Sequence, residues 1–400
     1  MRAWAFRLSL VFIFTIPWET AVVSGFGTLS RVAGIMMAAV WILAVLRSGH
    51  VRRVGLLHLL AGLFLLWNAA SVLWSVDVTV TVVRVISIAQ MVLLLVILWD
   101  LYRTPGAVRA GLQAYVFGAC VIEGSLILTF LNDPEILRYQ ALGENANGTG
   151  VILALGIPVA WYLAASAPSS TRGHIQRVLD YIYLVGAVFC IALTATRFVM
   201  LMAVPGMLFG AATLSRLSLA WRSVVFVSVC ITLLWLPTTV PERSLERLGT
   251  VDDEIASGDL NRRTVFWKEA IEVWKEHPLQ GVGAAAFQSI APSGRSAHNA
   301  FIGILADLGL IGLLLYGGIW ATVLFQALAQ PKWESRLWLT FLVALFIASN
   351  ALAMWNSKGS WLFFGLLAAS WGLSPEQRSS SPPSGLGAGH FRATLASQRR

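Results

Sequence analysis

The chain has 400 residues, 57% of them hydrophobic and 12% charged, with a formal net charge of +9. So few charges exclude a water-soluble globular domain, where about a quarter of residues are charged, and solid apolar runs exclude a membrane β-barrel, whose strands alternate. The positive balance is scattered over short loops instead of gathered on one polar face, so it signals topology and not nucleic-acid binding.

In chain order, apolar runs lie near 5–22, 26–46, 54–73, 78–100, 107–131, 148–167, 178–195, 198–215, 220–238, 299–327, 335–353 and 359–373. Their lengths cluster around the ~20 residues that a helix needs to cross a hydrocarbon core of about 30 Å. The expected fold is all-α, a polytopic integral membrane protein with about 12 transmembrane helices. The first span is read as retained, because no convincing small-residue cleavage site follows it. With the N-terminus (Arg2, Arg7) inside, the inner loops hold Arg47, Arg52 and Arg53, then Arg103 and Arg109, Arg172 and Arg177, Arg216 and Arg222, and Lys332 and Arg336. The short outer loops hold only Arg138, Arg197 and Lys358. Lys/Arg excess marks the cytoplasmic side, so both termini are expected there. Cys120, Cys190 and Cys230 fall inside spans without metal-ligand spacing and read as small buried hydrophobes.

Four regions follow: a bundle over 1–238, an outer loop over 239–298, further spans over 299–373, and a tail over 374–400. The outer loop carries seven basic and nine acidic residues, a nearly balanced polar cap. Within it, Val265, Phe266, Ala270, Ile271 and Trp274 keep helical spacing, and Pro278 with Gly281 ends that helix. It is expected to lie on the membrane surface with Trp267 and Trp274 at the interface. The glycines of Gly281-Val282-Gly283 lack the further glycines and setting of a phosphate-binding fingerprint. They predict a sharp re-entry, with Ser289 to Ala297 as a pliable strap. The tail, rich in Ser, Pro, Gly and Arg, reads as disordered.

Ionisable residues in or beside spans are costly and therefore functional candidates. Glu19, Arg31, Asp77, Arg84, Arg197, the pair Arg262-Arg263 and His298 gather at the outer ends. Each has a plainer reading as a snorkelling side chain, a local ion pair or, for His298, a helix cap. Together, Arg197 and the Arg262-Arg263 pair offer guanidinium forks suited to a diphosphate, and a histidine near neutrality can accept a proton from a hydroxyl. Glu123 and Asp180 lie elsewhere and look structural or gating-related. Nothing in the sequence suggests a metal site or cofactor.

Arg263-x-x-x-Trp267, then a helix, then Pro278-Leu279-Gln280-Gly281-Val282-Gly283, then His298-Asn299 through Asp307, Gly309 and Gly312 resembles the O-antigen ligase and polymerase superfamily of bacterial envelope glycosyltransferases. Upstream, IPWE at 16–19, LWSVD at 73–77, GENANGTG at 143–150 with Asn147, and TATR at 194–197 are similar to it as well. The turn after Arg197 departs from the family in holding Phe198 where a glycine is usual, and the outer loop is short.

The resemblance implies a GT-C-like membrane enzyme that moves a glycan from undecaprenyl diphosphate to an acceptor hydroxyl at the periplasmic face of the inner membrane. On that likeness His298 is the general base, and Arg263 and Arg197 hold the diphosphate. Arg262, Arg31, Arg84, Asn147 and Asn299 are the accompanying substrate-binding candidates, with no metal required. The expected acceptor is lipid A–core, which makes the protein an O-antigen ligase. A lipid-linked repeat unit as acceptor makes it an O-antigen or exopolysaccharide polymerase with the same chemistry. Membrane lipids are the remaining expected partners, and a polysaccharide or lipid transporter is the remote alternative from another class.

Overall fold

The computed structural model describes residues 1–21, 23–24, 27–241 and 263–373. Arg262 and the tail after 373 lie outside the described residues. Every predicted span is a helix. Nine precede the outer loop: α1 (Arg2–Thr15), α2 (Leu29–Ser48), α3 (Leu56–Ala70), α4 (Val78–Leu101), α5 (Pro105–Asn132), α6 (Ala146–Ala165), α7 (Thr171–Leu193), α8 (Arg197–Ala212) and α9 (Leu219–Thr239). Among the described residues of the loop stand α10 (Arg263–Glu276) and the short α11 (Phe287–Ile290), followed by α12 (Ala300–Leu328), α13 (Lys332–Ser349) and α14 (Lys358–Trp371). Among the described residues, seven are long and apolar enough to cross a membrane: α2 to α7 and α12.

The first helix is shorter than its apolar run. Pro17 has no N–H with which to continue the ladder, and the chain turns through Trp18 and Glu19, with Ala21 N donating to Trp18 O at 3.1 Å. A two-residue antiparallel pair, Val23–Ser24 with Gly27–Thr28, leads into α2.

α6 is the central helix, buried along almost its whole length and packed against α5, α7, α8 and α13. Small residues allow this closeness. A Cβ on Gly156 would sit 2.0 Å from the Tyr183 hydroxyl, which instead donates to Leu153 O at 2.7 Å. In lipid, where apolar burial does not drive helices together, such close contact and interhelical hydrogen bonding do. Between α5 and α7, Gln113 Nε2 donates to Asp180 Oδ1 at 2.7 Å, and Glu123 occupies the space that Gly186 leaves empty.

The connections sort into two ends. At one, Asp100 accepts from the Trp41 indole and the Arg52 amide, both at 3.0 Å, Arg52 lies 3.6 Å from the Trp99 ring centre, and Arg216 lies 4.1 Å from that of Trp333. These are the arginine-rich loops. At the other end, Thr20 Oγ1 donates to Leu142 O at 2.9 Å, Tyr139 N to Leu193 O at 3.1 Å, and Ala284 N to Ser71 Oγ at 3.1 Å. Lys358 pairs there with Glu19. The alternation that the basic residues predict is therefore the alternation of the chain between two ends.

α10 is also seated on the bundle. It packs on α12, and its Ala270 joins Val282, Phe287, Ala297 and Ala306 in a small separate core. Of the apolar stripe of α10, Ala270 is buried, Phe266, Ile271 and Trp274 are half-buried and Val265 is exposed, and the Trp274 indole donates to Pro278 O at 3.0 Å.

Candidate functional site

The helix that follows His298 is broken. Gly309 has φ 67° and ψ −167°, which interrupts α12 and leaves 300–308 as a short first half. The freed backbone groups find partners in the segment that arrives from α10. Leu310 N donates to Pro278 O at 2.9 Å and Ile311 N to Leu279 O at 3.3 Å; Val282 N donates to Ala306 O at 3.1 Å and Gly283 N to Asp307 O at 2.8 Å. Irregular backbone at a helix break persists in such a protein only where it is satisfied in this way. The fit admits no side chain at two of its glycines. A Cβ would lie 2.4 Å from the Asp307 carbonyl carbon at Gly281 and 2.2 Å from Leu279 O at Gly309, and both residues have φ near +66°. Pro-Leu-x-Gly-Val-Gly and Leu-Ala-Asp-x-Gly-Leu are thus two halves of one clasp. Asp307 Oδ1 reinforces it by accepting from Phe287 N at 2.9 Å, and Val76 N donates to Val282 O at 3.0 Å, which ties in the LWSVD stretch.

The clasp sets the mouth of α12. Asn299 caps the helix, its Oδ1 accepting from Phe301 N at 3.0 Å and Ile302 N at 3.1 Å. Its amide nitrogen reaches Asn350 Oδ1 at 3.4 Å. Both ends of this side chain are engaged, and Asn299 is buried, so the geometry gives it the work of fixing the helix entrance. Asn299→Ala is expected to cost about 1 kcal/mol, the worth of an N-cap, seen as a lower melting temperature of the solubilised chain. Asn299→Asp, which keeps the acceptor, should recover most of it.

His298 immediately precedes the cap and has φ 48°, a left-handed conformation that costs an L-residue about 1–2 kcal/mol. Its ring centre lies 5.9 Å from that of Phe266 on α10. Burial first, then the charges of Arg263 and Arg295, hold its pKa below the ordinary 6.5. It is therefore a neutral imidazole at neutral pH, able to accept a proton. Arg263 opens α10, and its guanidinium carbon lies 5.5 Å from the ring centre of Phe198, the neighbour of Arg197 at the start of α8. The entrances of α8, α10 and α12 thus converge, bringing His298, Arg263 and the Arg197 segment into one cluster.

Two arginines belong there that the motifs do not single out. Arg295 acts on His298 through its charge. Arg138 donates through Nη2 to Asn147 Oδ1 at 2.7 Å and to Thr196 Oγ1 at 3.1 Å, joining the starts of α6 and α8. Its rarity as a basic residue in an outer loop was the available signal. Four non-glycine residues among those described have positive φ, namely Leu142, Ala195, Ala285 and His298. All four lie in the connections that assemble this end, and backbone strain of this kind collects where structure over-determines a site.

Arg31 and Arg84 stand apart from the cluster. They line a cavity of about 430 Å³ together with Glu19, Glu144, Gly148 and Lys358, and neither His298, Arg263 nor Arg197 reaches it. The outer-end cations thus form two groups, divided by the first turn of α6: Gly148 lines the cavity, while the neighbouring Asn147 is held by Arg138. The strap from Ser289 onward has two side-chain contacts with its surroundings. Ser289 Oγ donates to Asp77 Oδ2 at 2.8 Å and Ser293 Oγ to Glu269 Oε2 at 2.6 Å. Ser289 and Ser293 thus bind the carboxylates of the α4 cap and of α10, which spacing along the chain does not reveal.

Residues 182–317 match the O-antigen ligase family. This third of the chain runs from within α7 to just beyond the break in α12, so it contains Arg197, Arg263, His298 and the whole clasp, and excludes Arg31, Arg84, Arg138 and Asn147. The exopolysaccharide production protein ExoQ of Rhizobium meliloti (strain 1021) is 26% identical over 254 residues, covering 57% of this chain and 57% of that protein. The match thus spans little more than half the length of this curated relative. The two findings bear out the resemblance that the motifs carry to the O-antigen ligase and polymerase superfamily, a family of membrane glycosyltransferases.

Proposed function

We propose that the protein transfers a glycan from undecaprenyl diphosphate to a sugar hydroxyl of an acceptor, at the periplasmic face of the bacterial inner membrane and with both termini in the cytoplasm. The observation that carries this reading is the neutral His298 beside Arg263 at the point where α8, α10 and α12 converge. The acceptor hydroxyl oxygen attacks the anomeric carbon, and its proton passes to the His298 imidazole. The bond from that carbon to the diphosphate oxygen breaks, and its electron pair leaves with the diphosphate. Arg263 and Arg197, with Arg262 adjoining, stabilise the charge that develops there. A diphosphate is already a good leaving group, so the step needs no protonating carboxylic acid of the kind used on glycosides. A single displacement inverts the anomeric centre. Asn299 and Arg138 hold the helix entrances in register, and the segregation of basic loops supports the orientation.

For the acceptor, the family match favours lipid A–core and hence ligation. A second reading, polymerisation onto a lipid-linked repeat unit, is favoured by the relative named for exopolysaccharide production. Expression in two hosts tests both. A strain lacking its O-antigen ligase should regain polymer on its lipopolysaccharide if the first holds. A strain lacking its polymerase should regain chain length if the second holds. Restoration of neither in matched donor backgrounds, with the protein accumulating in the membrane, would overturn the proposal.

A further inference from the structure

The seam between α5 and α7 carries two acids that the transfer chemistry does not use. Asp180 on α7 and Glu123 on α5 are both buried. At a rise of 1.5 Å per residue, Asp180 lies about 14 Å along α7 from its start at the arginine-rich end, and Glu123 about 14 Å from the far end of α5. Each presents an oxygen without a hydrogen-bond partner, Oδ2 of Asp180 and Oε2 of Glu123. Ionisable side chains inside spans are rare and costly, yet α7 makes room for one of them. A Cβ on Gly186 would sit 1.6 Å from Glu123 Oε1. An apolar residue would fill the same seam without that cost, so the acids point to a ligand.

The protein itself supplies no counter-ion. Among the described residues neither acid forms a salt bridge, and no cluster of ligating side chains could hold a metal ion. The titratable groups facing Asp180 are Arg109, Cys120 and Tyr181; those facing Glu123 are Cys120, Cys190 and Tyr183. Thiols and phenols are uncharged near neutrality, and Arg109 is engaged by Ser166, its Nη1 donating to Oγ at 2.6 Å. What remains is the proton, the one cation that a lone carboxyl oxygen binds by itself.

The two acids are also connected to each other and to one end of the seam. Gln176, half-buried near the start of α7, donates through Nε2 to Gln113 Oε1, and Gln113 Nε2 donates to Asp180 Oδ1 at 2.7 Å. This string fixes one oxygen of Asp180 and leaves the other open. Cys120, one turn before Glu123, lies within electrostatic reach of both acids, and Cys190 Sγ donates to Glu123 O at 3.8 Å.

We propose that Asp180 and Glu123 form an intramembrane proton-binding relay, entered beside Gln176 from the arginine-rich end. A proton from water at that entrance binds Asp180 Oδ2 and passes beside Cys120 to Glu123 Oε2. The O–H bond formed at each station replaces the one broken behind it, and the arriving charge cancels that of the carboxylate it reaches. The relay is independent of the transfer reading above.

The test is infrared difference spectroscopy of the full purified chain in lipid nanodiscs at neutral pH, on transfer from H2O to D2O. Wild type minus Glu123→Gln should show the carbonyl stretch of a protonated acid, moving to lower frequency as deuterium replaces the proton. In Asp180→Asn and in Gln176→Leu, exchange at Glu123 should slow about tenfold or more. A carboxylate band in place of the protonated one would overturn the proton site, and a band that never moves in D2O would mark a sealed structural acid and overturn the relay. Unchanged exchange in Asp180→Asn would separate the two acids, which also overturns it; unchanged exchange in Gln176→Leu would overturn the entrance. Should Glu123→Gln fail to accumulate, a carbodiimide adduct on wild-type Glu123, which forms only on a protonated acid, takes the place of that comparison, and its absence overturns the site. His298→Ala should leave every one of these readings unmoved, so the relay and the transfer reading fail separately.

Discussion

His298→Ala is expected to lower glycan transfer by about 10²–10⁴-fold, the usual contribution of a positioned general base, while the chain still inserts and accumulates. Because His298 has φ 48°, part of any effect of alanine comes from a backbone that alanine tolerates poorly. His298→Asn separates the two causes. Asparagine enters the left-handed region more readily yet is no base at neutral pH, so it should match alanine in rate and wild type in melting temperature. Transfer by His298→Asn at more than a tenth of the wild-type rate would remove His298 from the chemistry.

The same assignment fixes a pH dependence. Only the neutral imidazole accepts the proton, and burial, Arg263 and Arg295 favour that form. The acid limb of kcat/KM should therefore fall below pH 6.5, the ordinary histidine value. Arg295→Ala removes a cation that opposes protonation, so the limb should move up towards 6.5 without loss of the plateau. A limb that stays in place, or moves to lower pH, contradicts the arrangement.

Gly309→Ala is expected to be the most damaging conservative change in the chain. Its Cβ would meet Leu279 O at 2.2 Å, with φ at +67°. To relieve that contact the two halves of the clasp must part, giving up hydrogen bonds worth about 1 kcal/mol each on top of about 1–2 kcal/mol for the left-handed backbone. A loss of about 3 kcal/mol or more should appear as a lower melting temperature, faster proteolysis of the outer loop and absent transfer. Gly281→Ala should behave alike, since its Cβ would lie 2.4 Å from Asp307. Gly62→Ala, within α3 where no atom lies within 4 Å, is the control. Gly309→Ala as stable as Gly62→Ala would mean that the clasp does not hold the site.

The likeness to envelope glycosyltransferases was carried by motif residues, and the clasp explains why those motifs contain what they do. Gly281 and Gly309 are spelled out because two backbones pass within contact of each other, not because a phosphate is cradled. Asn299 accompanies His298 because the helix that presents the histidine needs a cap. Arg138 and Arg295, by contrast, belong to no motif, and only the rarity of Arg138 in an outer loop sets it apart in the sequence. Only the approach of the α6 and α8 entrances to one another, and of 295 to 298, gives them their places.

By itself the sequence determined that the twelve apolar runs are helices, seven of them long and apolar enough among the described residues to cross a membrane, that the chain alternates between two ends, and that His298 and Arg263 are candidates. Those are local properties: an apolar run long enough for a bilayer, the sign of the charges that flank it, and a short motif. The tertiary structure alone decided the break in α12, the seating of α10 on α12, and the division of the outer cations into a histidine cluster and a separate cavity. Each of these depends on backbone and side chains meeting across long stretches of chain: 278–283 with 306–311, Phe198 with Arg263, and Arg31 with Arg84 and Lys358 around a common space. No periodicity encodes such meetings, because they are settled by how closely small residues let particular helices approach.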